Sequence, residues 1–357
     1  MKIAVIGIRG LPGVQGGVER HCENIYPRFN ADTHFRVYRR RPYINAETQS
    51  TFKNISFVDL PSTRIKGFEA VFHTLLCCLH LIFNRVDIVH IHNIGPGMFT
   101  PLLRLFGMKV VLTYHSPNYE HDKWGKISKA ILRLSETLSL RFANHIIFVN
   151  KFQMAKFSAK TQAKSTYMPN GIDKIGCVAD HDFVDKVKAL KGEYILGVGR
   201  LTPEKGFEHL IKAVNLIDEV PQLVIAGGSD HDTTYFDYLQ SLNTKGKVIF
   251  TGNTSKSHLQ QLYSHARMFV LSSVNEGFPL VMLEAMSFDL PMAVSDIPAT
   301  RLIDLPEHYY ATAADHESLA ARIKEIYPTA QKVKYDLEQY DWDKIADQIH
   351  DTYTSLS

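Results

Sequence analysis

Several kinds of protein are excluded by what this chain lacks. It has four cysteines, Cys22, Cys77, Cys78 and Cys177, with no Cys-x-x-Cys pair and no His/Cys spacing of a metal site. A disulfide framework is therefore not expected, and a reducing, cytoplasmic compartment is. Met1 and Lys2 run straight into the apolar stretch 3–6, far too short for the core of a secretory signal. The longest apolar helix pattern, 68–83, is shorter than a membrane span and carries His73 and His80, so a core or interface helix is expected. No internal repeat, low-complexity segment or nucleic-acid-binding motif is found. The glycines after the first strand do not follow G-x-G-x-x-G, which argues against a nicotinamide-dependent oxidoreductase.

What is present fits a soluble α/β protein. The length of 357 residues suits two domains, and 45% hydrophobic with 22% charged residues is ordinary for a globular chain. A net charge of +3 hides an asymmetry. Residues 1–175 carry 24 Lys+Arg against 11 Asp+Glu, and the remainder carries 16 against 26. The expected division is an N-terminal domain 1–175, a second domain 176–339 and a terminal helix 340–357. The basic first half predicts an anionic partner, with a membrane surface or lipid diphosphate ranked above nucleic acid. Arg36, Arg39, Arg40 and Arg41 add to that bias.

The chain is organised around 275–286, Asn-Glu-Gly-Phe-Pro-Leu-Val-Met-Leu-Glu-Ala-Met. An apolar run of strand length, 268–272, precedes it, and Leu280, Leu283 and Met286 recur at helical spacing. The pattern predicts strand, tight turn at Gly277, then a helix with Pro279 in its first turn. Glu276 then stands at the carboxyl end of a strand, the ligand-binding edge of an open α/β sheet, and Glu284 two turns into the helix. Carboxylates so spaced can hold hydroxyls on two parts of a long polyol.

Other loops repeat this logic. Strand 194–198 leads into Gly199-Arg200-Leu-Thr-Pro-Glu-Lys205-Gly206, whose two cations can bracket a diphosphate, Arg200 through its planar fork and Lys205 as a point charge. Strand 2–6 leads into a loop with Gly7, Gly10, Gly13, Gly16 and Gly17 and a helix from Val18, which can bring backbone N–H groups to a phosphate. Strand 109–114 ends at His115, on the ligand edge. Strands near 35–38, 87–92, 145–149, 222–226, 248–251 and 292–295 alternate with helices, including 126–142 and 151–158. That alternation predicts parallel, doubly wound sheets.

The Glu276-x7-Glu284 pattern resembles the donor-site signature of family 4 retaining glycosyltransferases, which have the GT-B fold. Gly16-Gly17-Val18-Glu19, Gly199-Arg200 with Lys205-Gly206, His115, and Pro169-Asn170-Gly171-Ile172-Asp173 also resemble family elements, in the family's order. Arg9-Gly10-Leu11-Pro12 with Gly16–Glu19 is similar to a bacterial subgroup often labelled rhamnosyltransferases, as is Lys123-Trp124-Gly125. Gln15 departs from that subgroup's aromatic, so its sugar preference is not carried over.

The resemblance implies two Rossmann-like domains facing across a cleft and a retaining hexosyltransferase that uses a nucleoside diphosphate sugar. Arg200, Lys205 and the N–H groups at Gly16 and Gly17 would neutralise the diphosphate. Glu276 would hold sugar hydroxyls, Glu284 the ribose diol, and His115 the sugar. Gly277, Phe278 and Leu280 would line the donor. Domain closure would exclude water, and the terminal helix would pack back across both domains. Asp122, Lys123 and Trp124 are candidates for acceptor contacts. No Asp-x-Asp pair stands where a cation would bridge the diphosphate, so neither metal nor cofactor is expected. The implied acceptor is a glycan or lipid-linked glycan of surface polysaccharide, and the location cytoplasmic or peripheral on the inner membrane face. Two rivals are an idle nucleotide-sugar-binding partner of another transferase and a sugar-nucleotide epimerase. The five intact site residues count against the first, and the missing pattern of two histidines and a carboxylate against the second.

Overall fold

A computed structural model describes the chain except for residues 15, 45–51, 64–67, 121–124, 174–175, 221 and 230–233. Gln15, Asp122, Lys123 and Trp124 lie outside the described residues. The chain forms two compact units, Met1–Gly171 with Gln339–Ser357, and Ile172–Glu338.

The first unit holds strands β1 (Lys2–Ile6), β2 (His34–Arg40), β3 (Ile55–Leu60), β4 (Ile88–His92), β5 (Lys109–Tyr114), β6 (His145–Phe148) and β7 (Ser165–Tyr167). Their order in the sheet is β3-β2-β1-β4-β5-β6-β7, every neighbour parallel. The second unit holds β8 (Tyr194–Val198), β9 (Gln222–Ala226), β10 (Val248–Gly252), β11 (Met268–Leu271), β12 (Met292–Asp296) and β13 (Tyr310–Thr312). These run β10-β9-β8-β11-β12-β13, also parallel. In each sheet the strand order reverses beside the first strand of that unit, between β1 and β4 and between β8 and β11. Those switch points are where an open α/β sheet leaves a crevice for a ligand.

The central strand β1 is apolar on both faces because helices cover both sides. In β1, Ile3 and Val5 enter one buried cluster and Ala4 and Ile6 the other. The first cluster includes Ile25 from helix Gly17–Ile25, and Trp342, Ile345, Ile349 and Tyr353 from the terminal helix Trp342–Leu356. The second takes Cys77, Cys78 and Leu81 from helix Glu69–Phe83. All four cysteines are free, and only Cys177 is exposed. Among the described residues, no helix is long and apolar enough to cross a membrane.

Three readings need correction. The helix expected over 151–158 stops at Ala155, because the Ser158 hydroxyl caps a separate helix, Ala159–Gln162. Pro279 stands just before helix Leu280–Ser287 and not within its first turn. The arginines of 36–41 are not one basic surface. Arg39 is buried and grips Asp59 through two bonds of 2.7 and 2.9 Å. Arg40 is buried too, 3.1 Å from Glu69, while Arg36 and Arg41 donate to the Asn84 and Asp59 carbonyls.

Candidate active site

In the second unit the two loops beside the switch point are sewn together. The loop after β8 runs through Arg200 and Lys205 into helix Phe207–Asn215, and the loop after β11 through Glu276 into helix Leu280–Ser287. The Ser272 hydroxyl donates to the Lys205 carbonyl at 3.0 Å. The Val274 and Asn275 N–H groups donate to the Glu204 carbonyl at 3.0 and 3.4 Å. Gly206 has φ 60°, and a Cβ there would lie 2.3 Å from the Ser272 carbonyl oxygen, so only glycine permits this approach. Gly227 has φ 150°, and a Cβ there would lie 1.8 Å from the Gly199 carbonyl oxygen. It fixes the start of the Arg200 loop.

This stitching brings Lys205 and Glu276 together. Lys205 Nζ donates to Glu276 Oε1 at 2.5 Å, and Ser273 Oγ donates to the same oxygen at 2.8 Å. The two side chains are only 17% and 10% exposed, so salt screens the pair weakly. Arg200, about half exposed, lies 3.6 Å from Glu204. Glu284 is buried and accepts from the Tyr263 hydroxyl at 2.9 Å. Phe278 is buried. The Leu280 N–H donates to the Phe278 carbonyl at 3.0 Å. That bond is internal to the turn.

In the first unit, Gly16 and Gly17 open helix Gly17–Ile25. The buried Glu19 carboxylate closes their loop by accepting the Arg9 N–H at 3.0 Å. Gly16 has φ 151°, and a Cβ there would lie 2.0 Å from Glu19 Oε2. His115 follows β5 and is nearly buried. Its Nε2 lies 3.0 Å from Nδ1 of His92, the last residue of β4. His21 meets His115 edge to face, with ring centroids 5.0 Å apart. Its Nδ1 is 2.7 Å from Asn170 Oδ1. His90 stacks on His92 at 4.5 Å. Burial pushes His21 down to about 4, against the smaller opposing effect of the hydrogen bond it donates to Asn170. Burial first, then the neighbouring histidines, holds His92 and His115 well below the ordinary histidine value.

Sequence reasoning named Glu276, Lys205, Arg200, Glu284 and His115 but missed the groups that hold them. Ser273 and Tyr263 carry no linear signal. Asn170 and Glu19 belong to the recognised Pro-Asn-Gly and Gly-Gly-x-Glu elements. Their spacing gave no hint that they bond to His21 and to the Arg9 backbone. His21, His92 and His115 come from separate elements, and only the sheet topology gathers them.

A parallel, doubly wound sheet in each unit is the class of α/β architecture that binds ligands beyond the carboxyl ends of its strands at the switch point. Residues 15–174 match the family described as Glycosyltransferase Family 4, and residues 179–349 match Glycosyl transferases group 1. An uncharacterized glycosyltransferase of Methanocaldococcus jannaschii is 33% identical over an alignment of 401 positions, gaps included, covering 99% of this chain and 98% of its own. The O-antigen chain mannosyltransferase RfbU of Salmonella typhimurium is 28% identical over 258 residues, 70% of this chain and 69% of its own. HepE from Anabaena, solved in complex with UDP-glucose, superposes with a TM-score of 0.79 at 16% identity, covering 99% of this chain and 100% of its own. The chain belongs to the family 4 glycosyltransferases and has their GT-B fold.

Proposed function

We propose that the protein transfers a hexosyl group from a nucleoside diphosphate sugar to a glycan or lipid-linked acceptor in surface polysaccharide synthesis, with retention of anomeric configuration. The observation that carries this reading is the Lys205–Glu276 pair, with Ser273 on the same carboxylate oxygen and Arg200 on the same loop as Lys205. Cleaving the anomeric C–O bond leaves negative charge on the diphosphate. Arg200 and Lys205 stabilise that charge, electrostatic assistance in place of an acid catalyst. Glu276, anchored by Lys205 and Ser273, accepts hydrogen bonds from sugar hydroxyls. Glu284, oriented by Tyr263, takes the ribose diol. Gly277, Phe278 and Leu280 line the donor.

The acceptor hydroxyl attacks the face from which the diphosphate leaves, and the departing phosphate oxygen takes its proton. The reaction needs neither a dissociable cofactor nor a cation across the diphosphate. The polysaccharide assignment draws support from the likeness to RfbU, and the nucleotide-sugar donor from the likeness to HepE. The enzyme works in the cytoplasm, held at the inner membrane face by its basic first half, where the buried Arg39 and Arg40 take no part.

Transfer assays with a panel of nucleotide sugars, read by NMR of the product's anomeric carbon, test this proposal. A product with the donor's configuration, lost in Glu276→Gln, is expected. An inverted product, or near-parental turnover in that variant, contradicts it.

A further inference from the structure

Of the buried polar groups in the first unit, one histidine nitrogen stands out. His21 is 2% exposed, and its Nε2 makes no hydrogen bond. Its other nitrogen faces the oxygen of the Asn170 amide. An amide oxygen only accepts, so the ring proton sits on Nδ1 and Nε2 presents a lone pair. Two more imidazoles, of His92 and His115, lie beside this ring, with centroids 5.7 and 5.0 Å from its own. One ligand nitrogen each from His21, His92 and His115 lie within 4.8 Å of one another.

The His92 Nδ1 and His115 Nε2 pair is 3.0 Å apart. Two nitrogens bound to one tetrahedral ion at about 2.0–2.1 Å stand about 3.3 Å apart, so His92 and His115 would part slightly while the cluster, now within 4.8 Å, closes around the ion. The outer contacts match those that orient metal-binding imidazoles. Asn170 fixes the His21 ring, and the Tyr26 hydroxyl lies 2.5 Å from His92 Nε2. Burial keeps the rings neutral, the form that ligates.

We propose that His21, His92 and His115 form a three-histidine site for a divalent transition metal of the zinc class. Imidazole nitrogens favour Zn2+, Co2+, Ni2+ and Cu2+ over Mg2+ and Ca2+. On binding, the proton shared between His92 and His115 moves to the far nitrogen of the ring that carries it, so neutral rings need release no net proton. The three nitrogens bring no charge, and a water or an anion completes the coordination. The inference uses residues of the first unit alone and does not rest on the donor diphosphate.

The test uses the full chain, stripped with a chelator and titrated with Co2+ and Zn2+ by calorimetry and visible absorption. Crystals soaked in Zn2+ locate the ion by anomalous scattering. One equivalent is expected, with anomalous density between the three rings and the absorption of tetrahedral cobalt. His21→Gln should weaken binding more than about tenfold. Asn170→Leu, which keeps all three ligands, should weaken it about 10–100-fold and serves if the first variant does not fold. Unchanged affinity in a folded variant overturns the site. So does anomalous density only at exposed histidines such as His181.

Discussion

Lys205 and Glu276, 71 residues apart in sequence, meet at 2.5 Å beside the switch point of the second sheet. Neither a helix nor a turn links them directly. The contact exists because β8 and β11 are neighbours and their two exit loops share backbone hydrogen bonds. The carboxylate proposed to hold sugar hydroxyls is thus oriented before any ligand arrives, and the cation proposed to meet phosphate charge stands beside it.

That pairing gives the first prediction. Glu276→Gln should lower the turnover of transfer by about 100-fold or more, the scale seen when one preorganised electrostatic group is removed, while circular dichroism stays native. In a double-mutant cycle with Lys205→Met, thermal unfolding should show a coupling of about 1–3 kcal/mol. Additive effects would mean that the pair is incidental.

Gly227 gives a second. Its φ of 150° and the projected 1.8 Å approach to the Gly199 carbonyl leave no room for a methyl group. Gly227→Ala should cost about 2 kcal/mol or more from strain and overpacking. It should also displace the Arg200 loop, so nucleotide affinity falls with stability. Urea denaturation and nucleotide titration on the same sample check both effects.

A third concerns the terminal helix. Trp342 packs within the first unit's core, and a Cβ on Gly171 would lie 2.5 Å from its ring. Trp342→Ala should destabilise that unit by about 3–5 kcal/mol. Gly171→Ala should also destabilise it, by overpacking. A folded, parental-like melting curve for Trp342→Ala would show that the helix is dispensable.

A fourth is a pH dependence. His73 is buried, its Nε2–H donates to the Arg39 carbonyl at 3.2 Å, and burial, aided by Arg40, pushes it down to about 4. The unfolded chain binds this proton near pH 6.5 and the folded chain only near 4. Stability from His73 is therefore complete above about 6.5 and is lost as pH falls towards 4. The amount is on the order of 3 kcal/mol. The melting-temperature gap between the parent and His73→Leu should narrow over that window. Parallel curves would contradict the assignment.

Much of this organisation was legible in the sequence, for identifiable reasons. β1, β8, β9 and β12 are covered on both faces and read as continuous apolar runs, and glycines mark the loops that follow β1 and β8. Of the four edge strands, β10 was read at 248–251, while β3, β7 and β13 went unseen because β7 and β13 have three residues each and β3 is half-exposed. Glu276, Arg200 and Lys205 stood out because they lie in loops after strands. Ser273 and Tyr263 did not, since a hydroxyl that orients a carboxylate looks like any other until the strands are paired. The arginines of 36–41 misled for the converse reason. Their partners, Asp59 and Glu69, lie on a neighbouring strand and a following helix, and charge counting alone could not assign them.

The central claim is that this chain is built around a nucleoside diphosphate sugar. The most direct measurement is a thermal-shift panel with UDP, dTDP, GDP, ADP, CMP and NAD, without added metal. A ligand that binds only the folded state stabilises it by about 2.7 kcal/mol at 100 times its Kd. Selective stabilisation by one nucleoside diphosphate, abolished in Lys205→Ala, is the predicted result. A shift with NAD alone, or with none of the six, would contradict the account.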